Sequence, residues 1–264
     1  NNWDVNSTAS NYDFHNTAAN VTLTPSVSVL TDISNATFSK DFSTASQTTS
    51  LLGLSFLSNG TKMYVAGASY VYQYNLSTAW DLDTASYSNY SLDYSSYDTT
   101  TEAFFIKPDG TKAWFIGRNS DQVRLINFSY AGELNSGTIS SDYFSVANEE
   151  TNPTGLTFKS DGTKMYIIGT TGDDVNEYAL STAWDVTTAS YTQNFSIASQ
   201  DHAPSGISFD STGTKMYMSG EANNDIFLYN LSTAWDVSTA SYSNTLLDIS
   251  PRDISIQDVF VGDN

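Results

Sequence analysis

Three Trp-Asp pairs are the residues of this chain whose types and spacing could do chemistry. They are Trp80-Asp81, Trp184-Asp185 and Trp235-Asp236. Each pair follows a Ser-Thr-Ala segment. An indole face stacks on the CH groups of a sugar ring, and the neighbouring carboxylate accepts hydrogen bonds from sugar hydroxyls. The pairs therefore predict a repeated glycan-binding pocket that is weak at each site and multivalent overall. Packing explains the same repetition if Trp lies between stacked units and Asp caps a turn.

Patterns typical of catalysis do not accompany these pairs. His15 and His202 are the only histidines, and no Gly-x-Ser-x-Gly elbow or His-Glu-x-x-His segment is present. Hydrolysis of a glycosidic bond needs two facing carboxylates, and no pair of acids stands out. Glu149-Glu150 is expected to be solvated in a loop. The sequence predicts that the protein is not an enzyme, with a carbohydrate-active enzyme as one alternative.

Oxygen-rich loops provide the only indication of a metal ion. Such segments occur at Asn119-Ser120-Asp121, Asp173-Asp174 and Asn223-Asn224-Asp225. Carboxylate and amide oxygens suit Ca²⁺, but none of these loops matches an EF-hand. We therefore expect solvated loops and no cofactor, with Ca²⁺ as the alternative that the loops offer. The chain has no cysteine, so a thiolate metal site is excluded.

A long internal repeat must position the Trp-Asp pairs. The glycines of the recurring Gly-Thr-Lys turn are Gly60, Gly110, Gly162 and Gly213, which are 50, 52 and 51 residues apart. A fixed period near 51 residues indicates one supersecondary unit that is copied and stacked. The four copies are assigned to residues 51–100, 101–150, 151–201 and 202–250. The second copy diverges, because it has Gly132 where the others have Trp.

Each copy reads as four short strands joined by turns. In the last copy a strand from Gly206 to Phe209 precedes the turn at Gly213, and further strands begin near Lys215, Ile226 and Ala240. Four antiparallel strands in about 50 residues match the blade of a propeller. The sequence therefore predicts an all-β fold, a β-propeller of four-stranded antiparallel blades.

The two ends of the chain are expected to complete the ring. Residues 251–256 and 257–262 resemble the first two strands of a copy, whereas Trp3-Asp4-Val5 and residues 36–42 resemble its later parts. We therefore predict five blades, with residues 1–50 and 251–264 sharing the terminal one, in a single domain over residues 1–264. Such closure removes an exposed strand edge. The alternative is a section of a longer array of blades.

The acidic composition limits the choice of partner. The net charge is −19, from 29 acidic and 10 basic side chains. Nucleic acids and anionic membranes are recognised by clustered Lys and Arg, so neither is expected as a partner. No stretch of 18 apolar residues is present that could insert into a membrane.

The repeated hairpin resembles that of a known group of proteins. Residues 107–112 read Lys-Pro-Asp-Gly-Thr-Lys, and residues 159–166 are closely similar. This turn resembles the hairpins of bacterial extracytoplasmic propellers of the TolB-like and YncE-like groups. The whole unit resembles repeats of uncharacterised proteins from marine bacteria and their phages. The resemblance implies a non-enzymatic adhesion or display module, extracellular or on a virion surface such as a tail fibre. Its partner would be a glycan, a surface protein or other subunits of an appendage, and a purely structural spacer is the alternative.

Overall fold

The computed structural model describes residues 12–16, 20–24, 33–253 and 255–262. For residues 12–16 and 20–24, and for Asn35, only the backbone is described. The described residues form β-strands and short 3₁₀ helices. The 3₁₀ helices are Ile33–Asn35, Leu82–Thr84, Leu134–Ser136, Val186–Thr188 and Val237–Thr239. None of the described helices has the length and hydropathy that crossing a membrane requires.

Sixteen strands form four sheets, each from one copy of the repeat, and we call each of these sheets a blade. Blade 1 comprises β4 (Gly53–Phe56), β5 (Lys62–Ala66), β6 (Tyr70–Leu76) and β7 (Ala85–Asp93). Blade 2 comprises β8 (Thr101–Ile106), β9 (Lys112–Gly117), β10 (Gln122–Phe128) and β11 (Gly137–Ser145). Blade 3 comprises β12 (Pro153–Phe158), β13 (Lys164–Gly169), β14 (Asp174–Leu180) and β15 (Ala189–Ser196). Blade 4 comprises β16 (Pro204–Phe209), β17 (Lys215–Gly220), β18 (Asp225–Leu231) and β19 (Ala240–Asp248). Neighbouring strands are antiparallel throughout.

Both ends of the chain contribute to one further sheet, which we call the terminal sheet. Its strands are β20 (Val259–Val261), β1 (Tyr12–Asn16), β2 (Asn20–Thr24) and β3 (Lys40–Ser43), in that order. β1 pairs antiparallel with β20, so the beginning and the end of the described chain meet through backbone hydrogen bonds.

The predicted count of five blades is corrected to four. Only the sheets from β4 to β19 are copies of the repeat, whereas the terminal sheet combines three N-terminal strands with one C-terminal strand. The prediction that the C-terminal segment supplies two strands is wrong, because residues 251–253 form a turn and, of the described residues after it, only Val259–Val261 forms a strand. The proposed Trp3-Asp4-Val5 connection lies outside the described residues.

The first strand of each blade lies next to a central axis. β4 contacts β8, β8 contacts β12, and β12 contacts β16, while β20 contacts both β16 and β4. We call these five the inner strands. The axis has two ends. At the end that we call the hairpin end, the inner strand of each blade is followed by the turn that leads to the second strand. At the opposite end, which we call the loop end, the inner strand of each blade begins. The Trp-Asp connections lie at the hairpin end, since they join the end of each third strand to the start of the fourth.

Apolar side chains between adjacent blades form the core. The first two strands of each blade are almost entirely buried, and the outer strands alternate between half-buried and exposed residues. The contact between blades 2 and 3 is typical: the Trp114 and Phe158 ring centroids are 4.7 Å apart, and both side chains are buried. The sheets therefore stabilise one another by packing, since an isolated sheet would leave its apolar faces in water.

Candidate functional site

An open cavity of about 160 Å³ lies on the axis at the hairpin end, and we call it the axial funnel. The ends of all five inner strands line it, together with two tryptophans from the Trp-Asp connections. Its aromatic lining residues are Phe56, Trp80, Phe104, Phe105, Phe158, Phe209, Trp235 and Phe260. Such a concave, mostly apolar surface is typical of a site for a small ligand.

Hydroxyl and carboxyl groups are placed between these rings. They belong to Ser55, Ser58, Thr157, Ser160, Ser208, Asp210, Ser211 and Asp258. Two of the hydroxyls join neighbouring inner strands: Ser55 Oγ accepts from Ile106 N at 3.2 Å, and Ser208 Oγ accepts from Val261 N at 3.0 Å. The funnel therefore combines apolar faces with hydrogen-bonding groups that are fixed by the inner strands.

The three tryptophans of the Trp-Asp pairs have an unusual backbone conformation. Their φ angles are 64° at Trp80, 64° at Trp184 and 62° at Trp235. This left-handed region is disfavoured for a bulky residue and is natural for glycine. Blade 2 has Gly132 at the same place, with φ of 70°. Tryptophan is thus held in a conformation that the fold itself imposes on this connection.

Each indole packs on the glycine of its own hairpin. A Cβ atom on Gly60 would lie 2.3 Å from Trp80 Nε1, and one on Gly213 would lie 2.2 Å from the Trp235 ring. The Trp80 backbone N–H also donates to the Gly60 carbonyl at 2.9 Å. Glycine is required in the turn both by its positive φ and by the ring that covers it, which explains the joint recurrence of the two motifs.

Two of the tryptophans lie at the funnel, and the third lies in a contact between blades. Trp80 stacks with Phe260 at 6.2 Å, and Trp235 packs against Phe209 at 5.2 Å, all four being funnel-lining residues. Trp184 instead stacks on Trp114 at 5.7 Å and is not a lining residue. From the sequence, the three tryptophans are expected to be equivalent, whereas in the structure Trp80 and Trp235 line the funnel and Trp184 does not.

The aspartates of the pairs cap the 3₁₀ helices that follow them. Asp81, Asp185 and Asp236 accept from the backbone N–H two residues later, at 3.2, 3.1 and 3.1 Å. The hydrogen bond from Lys40 lowers the pKa of Asp81, and that from Ser238 lowers the pKa of Asp236.

None of the three aspartates lines the funnel. The packing interpretation of the Trp-Asp pairs therefore describes their contacts, and ligand binding by the six residues stays a prediction.

Asp258 is a functional candidate that the sequence analysis missed. It lies in the inner-strand position that Gly53, Ala103, Gly155 and Gly206 occupy in the blades, so it brings a lone carboxylate to the axis. Asp258 Oδ2 accepts from Leu54 N and Oδ1 from Val259 N, both at 2.8 Å. Burial raises the pKa of Asp258 to about 7. Aligning residues 258–261 with the inner strands rather than the second strands would have found it.

The loop end of the axis is polar and nearly closed. A cavity of about 20 Å³ there is lined by Glu102, Arg118 and Glu221, among others. Arg118 Nε lies 3.0 Å from Glu102 Oε1, and burial raises the pKa of Glu102 to about 7 against the opposing effect of Arg118. The cavity has room for about one water molecule.

Buried carboxylates hold the loops at this end. Glu150 is fully buried, so the expectation that it is solvated is wrong. Its carboxylate accepts from the backbone N–H groups of Asn152 and Thr171 at 2.7 and 3.1 Å. Asp98 and Asp201 do the same in the neighbouring loops. These acids satisfy backbone donors, which is a structural role.

Metal-binding and nucleophilic arrangements are not evident in the described part of the chain. No three His, Cys, Asp or Glu side chains there are grouped to hold a metal ion. In the loops considered for Ca²⁺, Asp174 accepts from the amides of Asn176 and Asn194 at 2.7 and 2.5 Å. His202 is exposed, and the adjacent Asp201 is buried.

Comparison with known proteins places the chain by its fold. No protein-family model matches the sequence, and no curated protein matches it. Solved structures do match: a chain of a nidogen/laminin complex aligns with a TM-score of 0.58 and 10% identity, over 96% of this chain and 98% of that one. A provisionally named 6-phosphogluconolactonase from Bacteroides uniformis aligns with a TM-score of 0.54 and 10% identity, over 94% and 69% of the two chains. A protein from Lactobacillus plantarum gives 0.53 and 14%, over 95% and 70%.

These neighbours are β-propeller proteins, and the chain is an all-β propeller of four-stranded antiparallel blades. The identities are too low to transfer an activity, and the comparisons do not bear on the specific marine bacterial and phage repeats. The neighbours include chains with enzyme names and chains without them, so the fold alone does not decide between enzyme and binding protein.

Proposed function

We propose that this propeller is a non-enzymatic binding module that recognises a glycan in the axial funnel, in the setting of extracellular or virion-surface adhesion. The observation that carries the proposal is the placement of Trp80 and Trp235. Both indoles are half-buried and line the same cavity, which also has hydroxyl groups between its aromatic rings. Aromatic faces bind the apolar side of a sugar ring, and the hydroxyls provide hydrogen bonds to its polar edge.

The distribution of polar groups supports binding rather than catalysis. The buried acids described at the loop end accept hydrogen bonds from backbone N–H groups or side-chain amides, or pair with Arg118. Of the described residues that line the funnel, two are carboxylates, Asp210 and Asp258, and Asp210 accepts from Lys215 N in its own hairpin at 2.8 Å. A glycosidase requires two carboxylates that face each other across the bond to be cleaved.

Glycan-array screening followed by calorimetry tests the proposal. We expect the protein to bind selected glycans, and Trp80→Gly and Trp235→Gly each to weaken binding about tenfold or more, since a stacked aromatic ring contributes over 1 kcal/mol. Glycine is the appropriate replacement because Gly132 occupies the equivalent place in blade 2.

Trp184→Gly is the comparison variant, because it alters the same motif at a residue that does not line the funnel but packs behind the lining residues Phe105 and Phe158. It should weaken binding less than either of the other two variants. Equal losses in all three variants would favour one pocket per blade over the funnel, and the absence of any bound glycan would overturn the proposal. Turnover of a lactone or polysaccharide would show an enzyme instead.

A further inference from the structure

The closed end of the funnel holds one carboxylate, that of Asp258. In the blades, the first lining residue of an inner strand, such as Leu54, Phe104 or Ile207, lies one position closer to the hairpin end than Asp258 does. Asp258 is 9% exposed and takes a position that is glycine or alanine in all four blades. The terminal sheet therefore places an acid at the deepest point of the funnel, and no blade repeats it.

The Asp258 carboxylate has free hydrogen-bond acceptor positions, and among the described residues it has no positively charged partner. Its two oxygens offer about four acceptor positions, and the backbone donors of Leu54 and Val259 use two. In the part of the chain that the structure describes, no Lys, Arg or His lines the funnel and no ion pair includes Asp258. The other titratable group among the described lining residues is Asp210, which is also acidic. A cation entering the funnel would thus meet no like charge.

The walls of the funnel also favour a cation. The faces of Trp and Phe rings attract ammonium groups within about 6 Å, and the attraction grows as water is excluded. Phe105, Phe260, Trp80 and Trp235 provide such rings around the opening. A net charge of −19 raises the local concentration of cations further. The cavity of about 160 Å³ has the size of one six-membered ring, since an engineered cavity of about 150 Å³ holds benzene.

We propose that the funnel takes the terminal residue of a glycan that has a free amino group, a 2-amino-2-deoxy sugar whose ammonium donates to Asp258. The inference rests on the proposed glycan-binding function and adds the chemical class of the sugar. The ring face of the sugar packs on the indoles at the opening, and its ammonium points to the closed end. Acetylation of the amine removes the charge and adds bulk at the deepest point, so the funnel discriminates against N-acetylated sugars.

Calorimetry on the full chain with glucosamine, N-acetylglucosamine, glucose and propylammonium tests this inference. At pH 7.5 we expect glucosamine to bind about tenfold or more tightly than the two uncharged sugars, because a charge-assisted hydrogen bond is lost with them. Asp258→Asn should abolish that preference, and Asp142→Asn, which removes an equal charge from the exposed face of β11, should retain it.

The wild-type protein supplies a second readout that does not depend on a variant folding. Burial raises the pKa of Asp258 to about 7, so lowering the pH from 7.5 to 5.5 should weaken glucosamine binding and leave glucose binding unchanged. Equal affinity for all three sugars would overturn this inference and leave the glycan-binding function intact. Binding of propylammonium but of no sugar would overturn both the glycan-binding function and the amino-sugar inference, and would show a site for simple ammonium ions. Failure of both glucosamine and propylammonium to bind would overturn the inference.

Discussion

The hairpin end and the loop end of the axis are held together by different interactions. At the hairpin end aromatic rings pack across the gaps between sheets, as Phe105 does on Phe158 at 5.1 Å. At the loop end buried carboxylates such as Glu150 and Asp201 accept hydrogen bonds from backbone N–H groups. The first kind of contact is non-directional and scales with buried area, whereas the second depends on pairing each buried polar group.

This difference indicates which end is available to a ligand. Glu150 and Asp201 are hydrogen-bonded within the fold at the loop end, and the cavity there is about 20 Å³. Asp121, Asp173 and Asn224 each have one buried side-chain oxygen without a hydrogen-bond partner in the same loops. At the hairpin end, four of the eight aromatic lining residues are partly exposed around a cavity of about 160 Å³, and the other four are buried. The cavity at the loop end has room for about one water molecule only, so the difference in open volume supports the proposed binding at the hairpin end.

The largest expected effect is the loss of packing at the hairpin end. Phe209 is 7% exposed, and its ring centroid lies 4.6 Å from that of Tyr166 in the adjacent blade. Phe209→Ala should lower the free energy of unfolding by about 3–5 kcal/mol, because it removes apolar contacts and leaves a cavity. Denaturant unfolding measures the change, with the exposed Leu246→Ala as control at under about 1 kcal/mol. Equal effects of the two variants would show that the inner strand does not hold the blades together.

A somewhat smaller effect is expected from a carboxylate at the loop end. Glu150→Ala leaves the N–H groups of Asn152 and Thr171 without their acceptor, which should cost about 2–4 kcal/mol of stability. The adjacent Glu149 is partly exposed, and Glu149→Ala should cost under about 1 kcal/mol. Denaturant unfolding of both variants separates the two residues. A stable Glu150→Ala variant would mean that water replaces the carboxylate and that the loop end is less closed than it is in the structure.

The four blades could be predicted from the sequence because their signals are local. The hairpin glycines and the strands on either side of them, such as Gly53–Phe56 and Lys62–Ala66, lie within one copy and repeat at a fixed period. In the terminal sheet β1 pairs with β20 between residues more than 230 positions apart, and the strand order and register of that pairing are not indicated by any local pattern. In the sequence, residues 258–261 resemble the second strand of a copy, and only the contacts of β20 with β4 and β16 show that this segment takes an inner-strand position and brings Asp258 to the axis.

Burial of acids could not be predicted for a similar reason. Glu149 and Glu150 are adjacent in a polar loop and look equivalent in the sequence. Only the fold brings Glu150 against Gly169, where a Cβ atom would lie 2.3 Å from its carboxyl carbon. The Trp-Asp pairs were found as a repeat, but the difference between Trp184 and the other two depends on which pairs of blades surround each ring.

The pH dependence of stability compares the two ends directly. The pKa values of Asp258 at the funnel and Glu102 at the loop end are both raised to about 7, mainly by burial. Each group retains its proton in the folded chain and releases it in the unfolded chain between about pH 4 and pH 7, so the free energy of unfolding should fall as the pH rises through this window. Above pH 7 both states are ionised, and the contribution becomes constant.

Variants at the two groups should separate their contributions. Asp258→Asn should reduce the fall in the free energy of unfolding between about pH 4 and pH 7 by on the order of 2 kcal/mol. Glu102→Gln should reduce it less, because the pKa of Glu102 is raised to about 7 from 4.5, whereas that of Asp258 is raised to about 7 from 3.8. Thermal or denaturant unfolding at pH 4.5 and 7.5 measures the change in the free energy of unfolding for each variant. A larger change for Glu102→Gln than for Asp258→Asn would reverse the comparison and point to the loop end as the more strongly desolvated one.

The smallest effect concerns the backbone at the funnel opening. Trp235 has φ of 62°, a conformation that costs an alanine about 1–2 kcal/mol and a glycine almost nothing. Trp235→Gly should therefore be more stable than Trp235→Ala by about 1 kcal/mol, even though both lose the same indole. At Tyr242, which is not among the residues with positive φ, the order should reverse, with alanine more stable by about 0.5–1 kcal/mol. Denaturant midpoints of the four variants measure both differences. If alanine is favoured at both positions, the tryptophan itself imposes the left-handed turn, and Gly132 in blade 2 is not its structural equivalent.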